Sequence, residues 1–125
     1  MNQVELHPLH PSPQLLAYCN SKQIHLTAYC PLGSTDSPLK DNEILQGVAK
    51  RHHVPVQLVI LAWGVQRGTS ILPKSVTKSR IEANFAADDW TISDAEMREI
   101  SGIQERFKVT DDEWLPYKVF SQDNE

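Results

Sequence analysis

Apolar residues recur along the chain with two different spacings. Polar and apolar positions alternate over residues 3–6, and residues 24–29 and 70–72 form two further short apolar runs. Runs of this length and pattern are typical of β-strands. After each of them, apolar residues recur every three to four positions, which predicts helices between the strands and after the last one.

Capping residues mark where the helices begin. The predicted N-caps are Ser12, either Asp41 or Asn42, Thr77 and Ser93. Pro13 fits the first turn of its helix, and Glu96 lies three residues after Ser93, as in a capping box. The run from Val54 to Trp63 is apolar on most sides, so we expect that helix to be well buried.

Strands that alternate with helices imply an α/β fold in which parallel strands are joined by crossover helices. Ligands in such folds gather at the carboxyl ends of the strands. No internal repeat and no flexible linker divides the chain, and its 125 residues fit one domain.

The composition excludes several classes of protein. The apolar fraction is 40% and the net charge is −4, so nucleic acid, which binds basic faces, is not an expected partner. Its longest apolar run, residues 58–63, is far shorter than the roughly 20 residues that span a bilayer, and no secretory signal is visible. We therefore expect a cytoplasmic protein with no membrane partner, in which Cys19 and Cys30 are reduced thiols.

The most informative segment is Leu72–Arg80, which leaves the third strand and enters a helix. A helix N-terminus presents unpaired N–H groups and attracts anions. Lys74 adds a positive charge, and Ser75 and Thr77 add hydroxyl groups. Arg80 can hold phosphate oxygens with its guanidinium group. The same residue types are also typical of a solvated loop, so the segment alone leaves both interpretations open.

A second candidate site is the loop that follows the second strand. Tyr29 can offer a ring face to a flat ligand, and Gly33 and Ser34 allow the backbone and a hydroxyl to approach an anion. A buried aromatic residue followed by a surface turn would give the same pattern. Both loops follow consecutive parallel strands, and this shared placement favours a ligand site.

Three motifs in order resemble the C-terminal part of an aldo-keto reductase. They are Asn2–Glu5 followed by His7 and Pro8, then Ala28–Ser34, then Leu72–Ser75 with Arg80 and Asn84. Residues 33–36 and 114–120 are most similar to fungal members of the family that are aldehyde reductases or NADP-dependent glycerol dehydrogenases.

The resemblance implies a fold larger than this chain. Members are (β/α)₈ TIM barrels, so residues 1–125 would be a partial reductase domain with strands six to eight of an incomplete barrel and a C-terminal tail at 107–125. Leu6, Leu26 and Ile71 would face space that the other strands fill. We therefore expect the isolated chain to be marginally stable or to self-associate through its open strand edges.

The resemblance also implies an NADP(H) site. The implied cofactor residues are Gln3, Tyr29, Cys30, Leu32, Ser34, Asp36, Lys74, Ser75, Thr77, Arg80 and Asn84. Gln3 and Tyr29 would meet the nicotinamide, and residues 30–36 would hold the diphosphate. Residues 74–80 would bind the 2′-phosphate that distinguishes NADPH from NADH, and Asn84 would meet the adenine.

Three positions depart from the family pattern. Cys30 stands where Ser is usual, and Ala83 stands where many members have a Glu that meets the adenine. Gln23 replaces a usual Gly after a helix, where a left-handed conformation would cost a non-glycine residue about 1 kcal/mol.

The family's catalytic Asp, Tyr, Lys and His lie on earlier strands, so we assign no catalytic residue in this sequence. His7 is expected to be a structural histidine with its hydrogen bonds satisfied, and His52 and His53 to face solvent. No spacing of Cys, His and Asp predicts a metal site. Trp114 and Leu115 in the tail either line a substrate pocket or cover the side of the barrel.

Three functional hypotheses follow. The chain is the NADPH-binding portion of an enzyme that interconverts aldehydes or ketones with alcohols, acting on a small carbonyl substrate only when the N-terminal half is supplied. Alternatively, it is a non-catalytic nucleotide-binding or interaction module derived from such an enzyme. In the third hypothesis, the sequence is an incomplete record of a full reductase.

Overall fold

The computed structural model describes residues 1–110, which fold around a small parallel sheet. The strands are β1 (Asn2–Glu5), β2 (Leu26–Tyr29) and β3 (Ser70–Ile71). They lie in the order β1-β2-β3, with Glu5 opposite Tyr29 and Ala28 opposite Ile71. The prediction of an α/β fold with parallel strands is confirmed, and β1 and β3 are the edges of this sheet.

Helices connect the strands and cover one face of the sheet. They are α1 (Pro13–Ser21), α2 (Glu43–His52), α3 (Val56–Gln66), α4 (Lys78–Phe85) and α5 (Asp94–Ser101). Short 3₁₀ turns span Pro38–Asp41 and Ala86–Asp88. Within residues 1–110, no helix has both the length and the apolar character needed to cross a membrane.

Two of the predicted caps form and two do not. The Ser93 hydroxyl and the Glu96 carboxylate make a reciprocal capping box at α5, and the Asn42 side chain accepts two N–H groups at the start of α2. Ser12 and Thr77 precede helices as predicted, but neither side chain makes a capping hydrogen bond. Ser12 has a φ of 39°, in the left-handed region rather than the extended conformation usual for an N-cap.

The main core lies around α3, which is buried along most of its length as its apolar sequence predicted. Trp63 is 2% exposed and belongs to a cluster that also receives residues from α2 and α5. Buried members of the cluster include Leu9, Leu39, Leu45, Val48, Val59, Ile60, Ile92, Ile100 and Ile103.

A second core cluster corrects the expectation for the strand residues. Leu6 and Leu26 are each 2% exposed, and they pack with Cys19 of α1 and with Ile71. The prediction that Leu6, Leu26 and Ile71 face an emptied barrel interior is therefore wrong. Side chains alternate between the two faces of a strand, and α1 covers the face that carries these residues.

Candidate functional site

The loops after β2 and β3 begin at the same edge of the sheet. The backbone N–H of Leu72 donates to the carbonyl of Ala28 at 3.0 Å, which extends the pairing of the two strands by one residue. Tyr29 follows Ala28 directly, so the Tyr29 loop and the Leu72–Arg80 segment start from neighbouring strand ends. Neighbouring strands lie about 4.8 Å apart.

The face of the sheet opposite α1 carries polar side chains. Gln3, Glu5, Thr27 and Tyr29 occupy alternate positions of β1 and β2, and the register pairs Gln3 with Thr27 and Glu5 with Tyr29. Gln3 is exposed, and Tyr29 is half-buried. This face therefore presents an amide and an aromatic ring within one pair of strands.

The loop after β2 is held in a strained conformation. Cys30 and Ser34 have φ angles of 47° and 63°, a region that non-glycine residues rarely adopt. The N–H of Gly33, itself at φ 70°, donates to the Cys30 carbonyl at 2.9 Å. Backbone strain of this kind clusters at ligand-binding loops.

Side chains along this loop divide into buried and exposed groups. Leu32 is half-buried and packs against the main core, whereas Ser34 and Asp36 are exposed. Burial, together with the negative charge of Glu5, raises the pKa of the Cys30 thiol. The thiol therefore stays protonated at neutral pH, and Cys19 and Cys30 are both free, as predicted.

A cavity of about 560 Å³ lies between the end of β3 and α4. It gathers three of the predicted site residues: Lys74, Ser75 and Asn84. Asp88 brings an acidic side chain into the same lining. Arg80 is exposed and lies outside the lining of this cavity.

Ser75, and not Thr77, organises the entry into α4. The Ser75 hydroxyl accepts the backbone N–H of Thr77 at 3.1 Å, while the Thr77 side chain leaves the helix end uncapped. The first-turn N–H groups of an uncapped helix are open to an anion.

Sequence reasoning missed a buried group of hydrogen bonds around Glu5, the last residue of β1. The Glu5 carboxylate is bonded to His7 Nε2 at 3.0 Å and accepts the backbone N–H groups of Val109 and Thr110 at 2.6 and 2.9 Å. His7 is only half satisfied, because its Nδ1 is buried without a hydrogen-bond partner among the described residues. The one available signal was an acidic residue at the end of a predicted strand, two residues before a histidine.

The remaining candidates are the histidines of α2, the metal-ligating residue types and two residues of the tail. His52 hydrogen-bonds to Glu96 on α5, which fits a structural role. Residues 1–110 contain no group of three or more His, Cys, Asp or Glu side chains that could hold a metal ion. Trp114 and Leu115 lie outside the described residues.

Comparison with known proteins identifies what the chain resembles. The model of the aldo/keto reductase family matches residues 1–105. Glycerol 2-dehydrogenase (NADP(+)) from Saccharomyces cerevisiae is 40% identical over 122 residues, which is 95% of this chain and 38% of that protein. Aldehyde reductase YPR1 from the same organism is 35% identical, with the same coverage of both chains.

Solved structures give the same result. An aldose reductase from Schistosoma japonicum aligns with a TM-score of 0.72 and 36% identity, covering 79% of this chain and 32% of that one. An aldo/keto reductase from Brucella melitensis aligns with a TM-score of 0.73 and 32% identity, covering 80% and 37%. The chain thus spans about two fifths or less of the length of the relatives it matches.

Proposed function

The chain belongs to the aldo/keto reductase family, and from this premise we propose that it supplies the NADPH-binding part of an enzyme that reduces aldehydes or ketones to alcohols, or runs the reverse reaction. Family membership confirms the resemblance inferred from the three motifs. The relative from Saccharomyces cerevisiae that is named for NADP(+) supports the choice of cofactor.

One observation carries this proposal: the hydrogen bond from Leu72 to Ala28 brings the two candidate loops to a single sheet edge. Ligands of parallel α/β folds bind at this carboxyl edge, where phosphate sites follow the last strands of a barrel. We propose that the three strands are the sixth, seventh and eighth of such a barrel.

The residues at the β3 end fit the phosphorylated half of the cofactor. Lys74 brings an ammonium group and Ser75 a hydroxyl group to the cavity, and Arg80 adds a guanidinium on the first turn of α4. These are donors that phosphate oxygens accept. Asn84, which can both donate and accept, suits the edge of an adenine. The cavity volume of about 560 Å³ lies within the usual range of ligand pockets.

The residues at the β1 and β2 ends fit the nicotinamide half. In this proposal the amide of Gln3 binds the carboxamide, and the ring of Tyr29 stacks on the nicotinamide and fixes which face points to the substrate. Between the two halves, residues 30–36 hold the diphosphate through backbone groups of Cys30 and Leu32 and the Ser34 hydroxyl. Asp36 closes that loop.

When bound, NADPH would supply the hydride that the carbonyl carbon accepts. The described residues would orient the cofactor and select it over NADH. We assign no proton donor for the carbonyl oxygen within residues 1–110. The aldehyde or ketone and the proton relay therefore belong to the whole enzyme, of which residues 1–125 form a partial domain in this proposal.

Binding of NADPH and NADH to the full 125-residue chain tests the proposal. Titration followed by tryptophan fluorescence is expected to give saturable binding that prefers NADPH and weakens with salt, because phosphate contacts are screened. Replacing Lys74 and Arg80 together by Ala should weaken the binding of NADPH at least about tenfold and leave the binding of NADH nearly unchanged. The reason is that each of the two side chains is a charged hydrogen-bond donor.

The exposed Lys50 on α2 provides a matched control, and Lys50→Ala should leave both affinities unchanged. Equal losses for NADPH and NADH in the double variant would refute the 2′-phosphate assignment. Absence of saturable binding by the folded chain would refute the cofactor site itself.

A further inference from the structure

The Glu5 carboxylate ties together two ends of the described chain. Glu5 is 2% exposed, and its Oε1 lies 3.0 Å from His7 Nε2 and 2.6 Å from the Val109 nitrogen. Its Oε2 accepts the N–H of Thr110 at 2.9 Å. Two of its three partners are thus backbone groups more than one hundred residues away.

Such an arrangement has a clear energetic reason. A buried carboxylate is costly unless hydrogen-bond donors surround it, and the residues that directly follow β1 supply only His7. The remaining donors come from the segment 107–110. A second bond holds the same segment, because the N–H of Phe107 donates to the Leu9 carbonyl at 3.1 Å.

The Glu5 carboxylate and its three partners, His7, Val109 and Thr110, form what we call the clasp. The strand register relates the clasp to the proposed cofactor site. Glu5 lies opposite Tyr29 in the strand register and two residues after Gln3 on the same face of β1. The segment 107–110 therefore lies against the end of β1, the strand that carries Gln3 and is paired with the strand of Tyr29.

We propose that Glu5 is a positioning residue, whose carboxylate fixes the backbone of Val109 and Thr110 beside the nicotinamide end of the proposed site. This inference rests on the proposed function, because that function gives Gln3 and Tyr29 their roles. Glu5 itself touches neither cofactor nor substrate.

The clasp depends on pH through Glu5. Burial alone would raise the pKa of Glu5, but the hydrogen bonds from His7, Val109 and Thr110 outweigh burial and place the pKa below its usual value. Protonation of Glu5 would weaken its carboxyl group as an acceptor for the N–H groups of Val109 and Thr110. The other titratable groups around the clasp are His7, His10, Cys30, Tyr29 and Lys108.

Amide hydrogen exchange in the full chain tests the clasp. Protection factors, corrected for the intrinsic exchange rate at each pH, are measured for Val109 and Thr110 and, as a reference for folding, for the amides of α3. In the natural chain the protection of Val109 and Thr110 should fall at a pH below 4.5, before that of the α3 amides falls.

Glu5→Gln should lower this protection at least tenfold at pH 7 and remove its pH dependence. Glu105→Gln is the matched control, because Glu105 bonds to Asn42 and not to this segment, and it should leave the protection of Val109 and Thr110 unchanged. His7→Gln, which keeps a donor toward Glu5 without titrating, should retain the pH dependence of the protection.

Trypsin cleavage after Lys108 provides a second measurement, and it should accelerate in Glu5→Gln only.

Protection that is unchanged in Glu5→Gln, or flat with pH in the natural chain, would overturn the clasp. If Glu5→Gln does not fold, the profile of the natural chain still decides the question. NADPH titration of the natural chain keeps the two proposals separate. If the natural chain does not bind NADPH, the cofactor assignment is refuted. The hydrogen-exchange result would still show whether Glu5 holds the segment 107–110.

Discussion

Gly33 and Ser37 lie so close together that a Cβ atom added to Gly33 would stand 2.7 Å from the Cβ of Ser37 and would also clash with its hydroxyl. Ser37 cannot easily give way, because it is buried and its Oγ accepts the N–H of Leu39 at 3.1 Å. Gly33 also has a φ of 70°. The loop that is proposed to hold the diphosphate is thus closed on a position that only glycine fits.

Gly33→Ala should therefore lower the free energy of unfolding by about 1–3 kcal/mol, through the left-handed conformation and the overpacking. Gly47→Ala is the matched control. Gly47 lies inside α2 with its nearest neighbour atom at 3.7 Å, so this substitution should raise stability by about 0.5–1 kcal/mol. Urea unfolding of both variants provides the measurement, and a stable Gly33→Ala would contradict this account of the loop.

Gln23 occupies the left-handed position after α1 with a φ of 55°, as the departure from the usual glycine predicted. Gln23→Gly should raise the free energy of unfolding by about 1 kcal/mol, because the strain of a side chain in this region disappears. Lys22→Gly, at a neighbouring φ of −104°, should bring no gain. Thermal unfolding of the two variants compares them directly, and equal effects would disprove the strain.

Tyr29 should affect NADPH and NADH alike, because its proposed partner is the nicotinamide ring that both share. Tyr29→Ala is expected to weaken each by about threefold to tenfold, the usual magnitude of an aromatic contact. Tyr29→Phe keeps the ring and should stay within about twofold of the natural chain. A loss of affinity for NADPH alone would contradict the nicotinamide role and would assign Tyr29 to the phosphate end of the site.

Glu96 should make the protein less stable in acid. Its pKa is lowered to about 2 by the Ser93 hydroxyl, His52 and Arg51. Because the folded-state pKa is below the unfolded value of 4.5, this stabilisation is present above pH 4.5 and is lost as the pH falls toward 2. Glu96→Gln keeps a capping-box acceptor but removes the negative charge that faces Arg51 and His52, so it should lower stability at pH 7 by up to about 1 kcal/mol and should flatten the acid dependence.

Melting temperatures between pH 7 and pH 2.5 would measure this effect. Glu82→Gln is the control, since Glu82 is exposed and lies 3.9 Å from Lys78 on the surface of α4. Parallel acid profiles for the natural chain and Glu96→Gln would show that the Glu96 carboxylate does not carry the pH dependence.

Local signals predicted the elements well where the physical cause is local. Ser93 and Glu96 form their capping box within one turn, and the apolar run of α3 requires burial wherever the helix packs. Ser12 failed as a cap because its backbone is left-handed, which depends on how the chain enters α1. The faces of Leu6 and Leu26 were assigned wrongly, because alternation shows which residues share a face and not which face α1 covers.

The candidate site was predictable to the extent that residue types carry charge and conformation. Lys74 and Ser75 were identified as phosphate donors from their place before a helix, and the structure gathers them with Asn84 around one cavity. The clasp at Glu5 was not predictable, since its partners at Val109 and Thr110 are backbone groups without a sequence signature. The predictions of marginal stability and self-association remain to be tested.

The central claim is that the β2 and β3 loops bind one molecule of NADPH between them. A structure of the full chain determined with NADPH tests this most directly. It should show the nicotinamide ring against Tyr29 and the 2′-phosphate within hydrogen-bond distance of Lys74 or Arg80. A cofactor that contacts only one of the two loops, or binds elsewhere on the chain, would contradict the account.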